Sequence, residues 1–302
     1  MSPRASATLI GFTAILMWAS LGTLVAVAGR LPAFQTNTLT FGVSGGLGCL
    51  WLAATGRLHV LRQPVKVWAL GVGGLFGYHA LYFAALRLAP PVEASLVNYL
   101  WPLLIVLLSG LLPGEHLKRH HVVGAGLGFL GAAAVVTGGR GLALDPSDAA
   151  GYACAAAAAF TWAIYSVSSR RLGEVPTAVV AGFCLATALL SLPCHLLFET
   201  WVWPEGTTAW AALIGLGLLP VGLAFFVWDH GMKRGDIQVL GAASYLTPIL
   251  STLLLIAAGV GALTPMVAFA AVAVTLGALI ASKDVFLRPK TPREAPEPPS
   301  AT

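Results

Sequence analysis

Between Thr8 and Ser282 run ten apolar stretches, and charge is confined almost wholly to the gaps between them. At a rise of about 1.5 Å per residue, about twenty helical residues cross the roughly 30 Å hydrocarbon core of a bilayer. Each stretch has that length, and only helices and closed barrels satisfy their backbone inside lipid. The runs are too long and too rich in Leu, Ala and Gly for barrel strands. The chain therefore reads as an all-α integral membrane protein with ten transmembrane helices. The spans fall at 7–28, 33–55, 67–86, 91–112, 121–138, 149–169, 177–198, 208–229, 237–258 and 264–282.

Composition supports this class. Charged residues are 10% of the chain, against about 25% in a typical soluble domain. The glycines suit close helix approach in lipid, with small-xxx-small pairs at Gly42/Gly46, Gly73/Gly77 and Gly124/Gly128. The net charge of +5 lies in the loops and does not indicate nucleic acid.

The loop charges give an orientation. Arg4, then Arg57, Arg62 and Lys66, then Lys118 and Arg119, then Arg170 and Arg171, then Lys233 and Arg234, then Lys283, Arg288, Lys290 and Arg293 fall on one side. Only Arg30, Arg87 and Arg140 fall on the other, so fourteen cations face three. By the positive-inside rule the N- and C-termini are expected in the cytoplasm. Ala26-Val27-Ala28 could pass for a signal-peptidase site, but a secretory apolar region runs only about 7–15 residues. With Trp18 at its centre, the longer first stretch reads as a helix that stays. The segment 286–302 is Pro-rich and reads as a disordered cytosolic tail.

An internal repeat carries more information about function than any single motif. A shift of 146 residues lays Tyr99-Leu-Trp-Pro102 on Tyr245-Leu-Thr-Pro248, Tyr82 on Trp228 and Arg87 on Lys233. A shift of 144 lays Trp18-Ala19 on Trp162-Ala163. Two five-helix halves result, 1–140 and 145–285. Because five is odd, they must insert with opposite orientation. Inverted repeats characterise alternating-access transporters, whose substrate site lies at mid-membrane between the repeats.

Ten helices in two inverted halves, with Gly114-Glu115 followed by Gly124 and Gly131, resemble the EamA-type drug/metabolite transporter superfamily. The resemblance implies a basket-like fold. The second half departs from the motif, with Gly261-Ala262 where Gly-Glu would repeat, so Glu115 is not expected to be one of two symmetric functional acids. Gly77-Tyr-His-Ala-Leu-Tyr82 and Asn98-Tyr-Leu-Trp-Pro102 are most similar to that superfamily's exporters of aromatic amino acids. By this resemblance the chain would export aromatic and other apolar amino acids across a bacterial inner membrane.

Candidate site residues follow from polar and aromatic groups at mid-span. Tyr78, His79 and Tyr82 form one stripe by i,i+3 and i,i+4 spacing, and polar tips at that depth point into the bundle. Asn98, Tyr99, Trp101 and Pro102 stand at mid-depth in the fourth span, with Ser244, Tyr245 and Pro248 matching them in the ninth. Each proline removes a backbone donor and bends its helix. Tyr99 and Trp101 diverge by about 200° on a regular helix, so both face one cavity only if the kink twists it. Trp18 and Trp162 are central rather than interfacial, unlike Trp51, Trp201, Trp203 and Trp210, and a buried indole N–H needs an acceptor.

An aromatic cavity with few charges suits an apolar or aromatic small-molecule substrate, whose ammonium can sit over a ring face. Basic residues for a strongly anionic substrate are missing at mid-membrane. Glu93 lies at the outer start of its helix, and Asp229 and His230 are expected near the cytoplasmic interface. That leaves His79 as the central titratable group, with an unperturbed pKa of about 6.5, as a substrate contact and a candidate proton carrier. Other readings are an exporter of cationic drugs, which would want a central carboxylate, a channel, and an intramembrane enzyme. The last lacks H-E-x-x-H, G-x-S-x-G and paired mid-membrane acids. No G-x-x-x-x-G-K-[ST] loop is present, and no cofactor or metal is expected. His116-x-x-x-His120-His121 reads as ordinary loop histidines. Cys49, Cys154, Cys184 and Cys194 read as packing residues. The expected oligomeric state is a monomer.

Overall fold

The computed structural model describes residues 2–139, 145–257 and 263–283. Arg140, Gly261, Ala262, Arg288, Lys290, Arg293, the last residue of the ninth span and the tail 286–302 lie outside the described residues.

Among the described residues the expected spans coincide with helical runs. These are α1 (Pro3–Ala28), α2 (Ala33–Ala54), α3 (Val65–Leu88), α4 (Pro91–Ser109), α5 (Arg119–Thr137), α6 (Pro146–Arg171), α7 (Thr177–Phe198), α8 (Gly206–Arg234), α9 (Ile237–Ala257) and α10 (Pro265–Ala281). Eight are long and apolar enough to cross a membrane. The other two are α2, which carries Gln35, Asn37, Thr40 and Ser44 on its buried face, and α10, which has 17 residues. The largest boundary difference is at α8, expected to end at 229 and in fact continuing to Arg234. Asp229 is enclosed by protein. It is buried against Lys233, with Oδ2 2.8 Å from Nζ, and Thr177 donates to the same carboxylate. Pairing lets the helix carry both charges one more turn into the protein.

Several helices are interrupted. Ser20 breaks α1, its hydroxyl donating back to the Met17 carbonyl at 2.7 Å. Tyr99–Leu100 break α4, and Ser244–Tyr245, 145 residues later, break α9. Pro102 and Pro248 stand just beyond those breaks, as donors missing from the backbone ladder require. A π-helical turn at Gly73–Gly77 in α3 recurs 146 residues later at Leu219–Leu223 in α8. The pairs α2–α7, α5–α10, α1–α8 and α3–α6 make the largest contacts between helices.

Glycines set the closest approaches, though not always the expected ones. Gly124 and Gly128 pack as the sequence suggests: an added Cβ at Gly124 would lie 2.5 Å from the Gly277 carbonyl oxygen on α10. Gly42 and Gly46 have no such neighbour, and the α2–α7 contact uses Gly45 and Gly48 against Leu185 and Ala181. Gly73 and Gly77 bound the π turn, and Gly74 is the residue that receives the Tyr165 ring. The register of a glycine pair tells that helices can approach, but the facing helix decides which glycine is used.

Gly124→Leu should therefore cost about 1–3 kcal/mol through overpacking. It would show as a lower thermal midpoint and early aggregation in detergent, whereas Gly46→Leu, with open space around it, should leave the midpoint unchanged.

Candidate functional site

The interrupted helices meet around a cavity of 410 Å³, within the range of small-molecule sites. Nine of the twelve candidate residues line it: Trp18, Tyr78, His79, Tyr82, Asn98, Tyr99, Trp101, Trp162 and Pro248. The break in α4 lets Tyr99 and Trp101 share the wall, which a regular helix would forbid. Pro102, Ser244 and Tyr245 are buried outside it. The Ser244 hydroxyl donates to the Leu240 carbonyl. Pro102 packs beneath the break, its carbonyl facing Gly241. The Tyr245 ring covers Gly128, and its hydroxyl oxygen accepts the Leu103 N–H at 3.1 Å, a donor the α4 break sets free. These three support the bend from behind.

The wall on one side is aromatic. Trp18 meets Trp162 edge-on at 5.8 Å and Trp101 at 6.2 Å, while Trp228 closes the group 5.0 Å from Trp18. Phe225 stacks on Phe41 at 5.6 Å, and Tyr78 stacks on Tyr82 at 6.0 Å. Hydrogen bonds fix the rings. The Trp18 indole donates to the Pro220 carbonyl in the α8 π turn at 3.0 Å, and Trp228 donates to the Ser166 hydroxyl at 3.1 Å. His79 Nδ1 lies 2.7 Å from the Leu75 carbonyl in the α3 π turn, so Nδ1 carries the proton there and a neutral ring leaves Nε2 as an acceptor. Tyr82 and Ser95 hydroxyls are 2.9 Å apart. Asn98 Nδ2 donates to the Tyr78 hydroxyl at 3.1 Å.

Besides its aromatic groups the cavity is polar without being charged. Thr247, Ser251 and Thr252 of α9 line it, and no Asp, Glu, Lys or Arg does among the described residues. Among the lining residues, two buried polar atoms lack a partner within the protein: Asn98 Oδ1 and the Thr247 hydroxyl. Sequence reasoning missed Phe225, Thr247, Ser251 and Thr252, together with Leu21, Gly22, Val135, Val136, Pro220 and Val221. A signal existed for two of them, since the 146-residue shift lays His79 on Phe225 and Trp101 on Thr247.

Lining residues run from mid-length, where Trp162, Val221 and Phe225 stand, to the ends of the helices that carry Leu21, Val136 and Thr252. In α1 they are Trp18, Leu21 and Gly22, about 21 Å or more beyond Arg4 at the other end. That other end is closed by an ion cluster. Glu115 pairs with Arg4 at 3.1 Å and closely with Arg170, and Arg4 also reaches Asp236 at 3.2 Å. Arg170 adds a bond to the Met232 carbonyl. Glu115 thus ties residues before 140 to residues after 145. No metal-ligand cluster of His, Cys, Asp and Glu occurs among the described residues.

The description "EamA-like transporter family" matches residues 5–137 and again 149–283. The chain belongs to that family. It is 54% identical, over 92% of its length and 98% of the relative's, to a protein of Ancylobacter novellus named aromatic amino acid exporter YddG. A protein of the same name in Escherichia coli K12 is 27% identical, over 83% and 88% of the two chains. A solved crystal structure superposes with a TM-score of 0.88 at 52% identity, covering 93% of this chain and 98% of that one. The protein is thus a multi-pass transporter of a bacterial inner-membrane family.

Burial raises the Glu115 pKa, but the hydrogen bond and charge of Arg170, with Arg4 behind them, outweigh it and hold the carboxyl below its usual value. A depressed pKa stabilises the folded state above the ordinary carboxylate range, and that stabilisation fades as pH falls through the depressed value. Glu115→Gln should therefore lower the thermal midpoint by a few degrees at pH 7. The gap between variant and wild type should close as the pH is taken down into the acid range.

Proposed function

We propose that this protein exports aromatic and other apolar amino acids from the bacterial cytoplasm by alternating access. The observation that carries the substrate is the 54% identity over 92% of the chain to a protein named as an aromatic amino acid exporter. The cavity supports it chemically. Aromatic rings pair edge-on at about 0.5–1.5 kcal/mol each, and the tryptophan box offers such edges and faces to a substrate ring. The zwitterionic end of an amino acid needs an acceptor for its ammonium and a donor for its carboxylate. Two lining residues, Asn98 and Thr247, carry an amide oxygen and a hydroxyl that have no partner within the protein. A cationic drug would meet no carboxylate here, which weighs against that alternative.

The same reading takes the chain as ten membrane-spanning helices in two inverted repeats. Four observations support it: the family matches twice, the π turns recur at 146 residues, the breaks recur at 145, and α1–α8 mirrors α3–α6. With the basic loops and both termini in the cytoplasm, the ion cluster of Glu115 lies on the cytoplasmic face and the cavity opens outward. Rocking of the halves would break that cluster and expose the aromatic box inward. The protein works as a monomer in this reading.

Flux of radiolabelled phenylalanine, tryptophan and threonine into proteoliposomes tests it, with and without a pH gradient. Saturable, aromatic-preferring flux is expected. Trp101→Ala should weaken apparent affinity for aromatic substrates about tenfold, by loss of ring contacts. Thr247→Val should weaken all amino acids alike. Absence of amino-acid flux together with uptake of a cationic dye would overturn the assignment.

A further inference from the structure

A second hollow, of 440 Å³, lies away from the aromatic cavity, between α2, α7 and α8. Its walls are Leu47 and Trp51 on α2, Ala181 on α7, and Leu223 and Phe226 on α8, with Ser44 as its polar side chain. Its mouth opens sideways. Leu47 is 52% exposed, Trp51 51% and Leu223 48%, on helices that face hydrocarbon. At the Trp51 end the chain turns into the segment 57–66, where the Arg57 guanidinium sits 5.1 Å from the Trp51 ring centroid. That segment holds Arg57, Arg62 and Lys66 and no acid. None of the three cations has a carboxylate within ion-pair distance among the described residues.

We infer that this crevice is a site for one anionic phospholipid, with an acyl chain between α2 and α8 and the phosphate against Arg57. Two independent observations meet in it. An apolar recess open to the bilayer takes a hydrocarbon tail, since inside lipid close packing rather than hydrophobicity holds a chain in place. Unpaired cations at the same end of the recess attract an anionic headgroup. Trp51 joins the two, since it lines the recess and the Arg57 guanidinium lies over its ring, as interfacial tryptophans allow. The crevice lies between the two halves of the chain, with α2 on one side and α7 and α8 on the other. Gly222 and Leu223 belong to the π turn whose Pro220 carbonyl holds Trp18. The lipid tail therefore packs on the element that fixes the tryptophan box.

The test uses the purified full chain in a non-ionic detergent, titrated with phosphatidylglycerol or with phosphatidylcholine of the same tails. Native mass spectrometry counts the lipid retained. Wild type should hold one phosphatidylglycerol about fivefold more tightly than phosphatidylcholine, the worth of one arginine at an anionic surface. Arg57→Gln should erase that preference. Leu47→Trp, which lays a larger ring across the mouth, should weaken both lipids. Leu130→Trp, on a lipid-facing part of α5 where Leu130 is 62% exposed, should change neither. Equal retention of the two lipids by wild type, or retention unchanged by Leu47→Trp, would overturn the inference. So would equal losses from Leu47→Trp and Leu130→Trp, which would mark a general lipid annulus.

Discussion

The hydrogen bond from the Trp18 indole to the Pro220 carbonyl is the contact on which the site depends. It joins α1 to α8, across the two halves of the chain, at the π turn of α8. A π turn leaves backbone groups out of the regular ladder, and inside lipid such a group must find a partner. Trp18 supplies the donor and in return has its ring orientation fixed. The remaining box is built on that ring, because Trp101, Trp162, Phe225 and Trp228 all pack against it. Removing the donor would leave a buried carbonyl unpaired and take from the box a ring that touches four others, leaving Trp162 as the neighbour that Trp101, Phe225 and Trp228 still share. His79 does the equivalent service in α3 by reaching the Leu75 carbonyl of the matching π turn.

The π turns and the breaks recur at 146 and 145 residues, but the side chains at matching positions differ. His79 corresponds to Phe225 and Trp101 to Thr247. A strictly symmetric pair of walls would hold either two aromatic faces or two polar ones. An amino acid with an aromatic side chain has one end of each kind. In the proposed reading, divergence between the halves would give the substrate a single preferred orientation.

Much of the fold was legible because hydropathy over about twenty residues is a strong signal. The boundary at α8 was not, since it depends on Asp229 finding Lys233, a pairing between two charges that sequence hydropathy counts against the helix. The site was legible where a polar or aromatic residue at mid-span had no packing role. Tyr245, which matches Tyr99 in type and place, does not line the cavity. Tyr245 lies over Gly128, which has no side chain to exclude it, whereas the residue matching Gly128 is Val274. Which tyrosine faces the cavity is set by the neighbouring helix, and no local pattern carries that. The π turns were equally hidden, because an extra residue in a turn leaves the apolar run unbroken.

The interruptions are distributed in a way that bears on how the protein moves. Breaks or π turns occur in α1, α3, α4, α8 and α9, all of which line the cavity. By contrast α2, α5 and α10 run without interruption, and glycine contacts bring α2 onto α7 and α5 onto α10. Helices bend where their ladder is already open and resist bending where it is complete. Small residues at a crossing let backbones touch, and such contacts lose dispersion energy steeply when they separate. The glycine-bonded pairs are thus the stiff frame, each joining one half of the chain to the other. In the proposed alternating access, bending at the interrupted helices would let the halves rock; of these, α1, α8 and α9 reach the Glu115 cluster, together with the uninterrupted α6. A frame that crosses the halves would keep them joined as they rock in the proposed mechanism, so that the protein holds together in the membrane while the cavity changes sides.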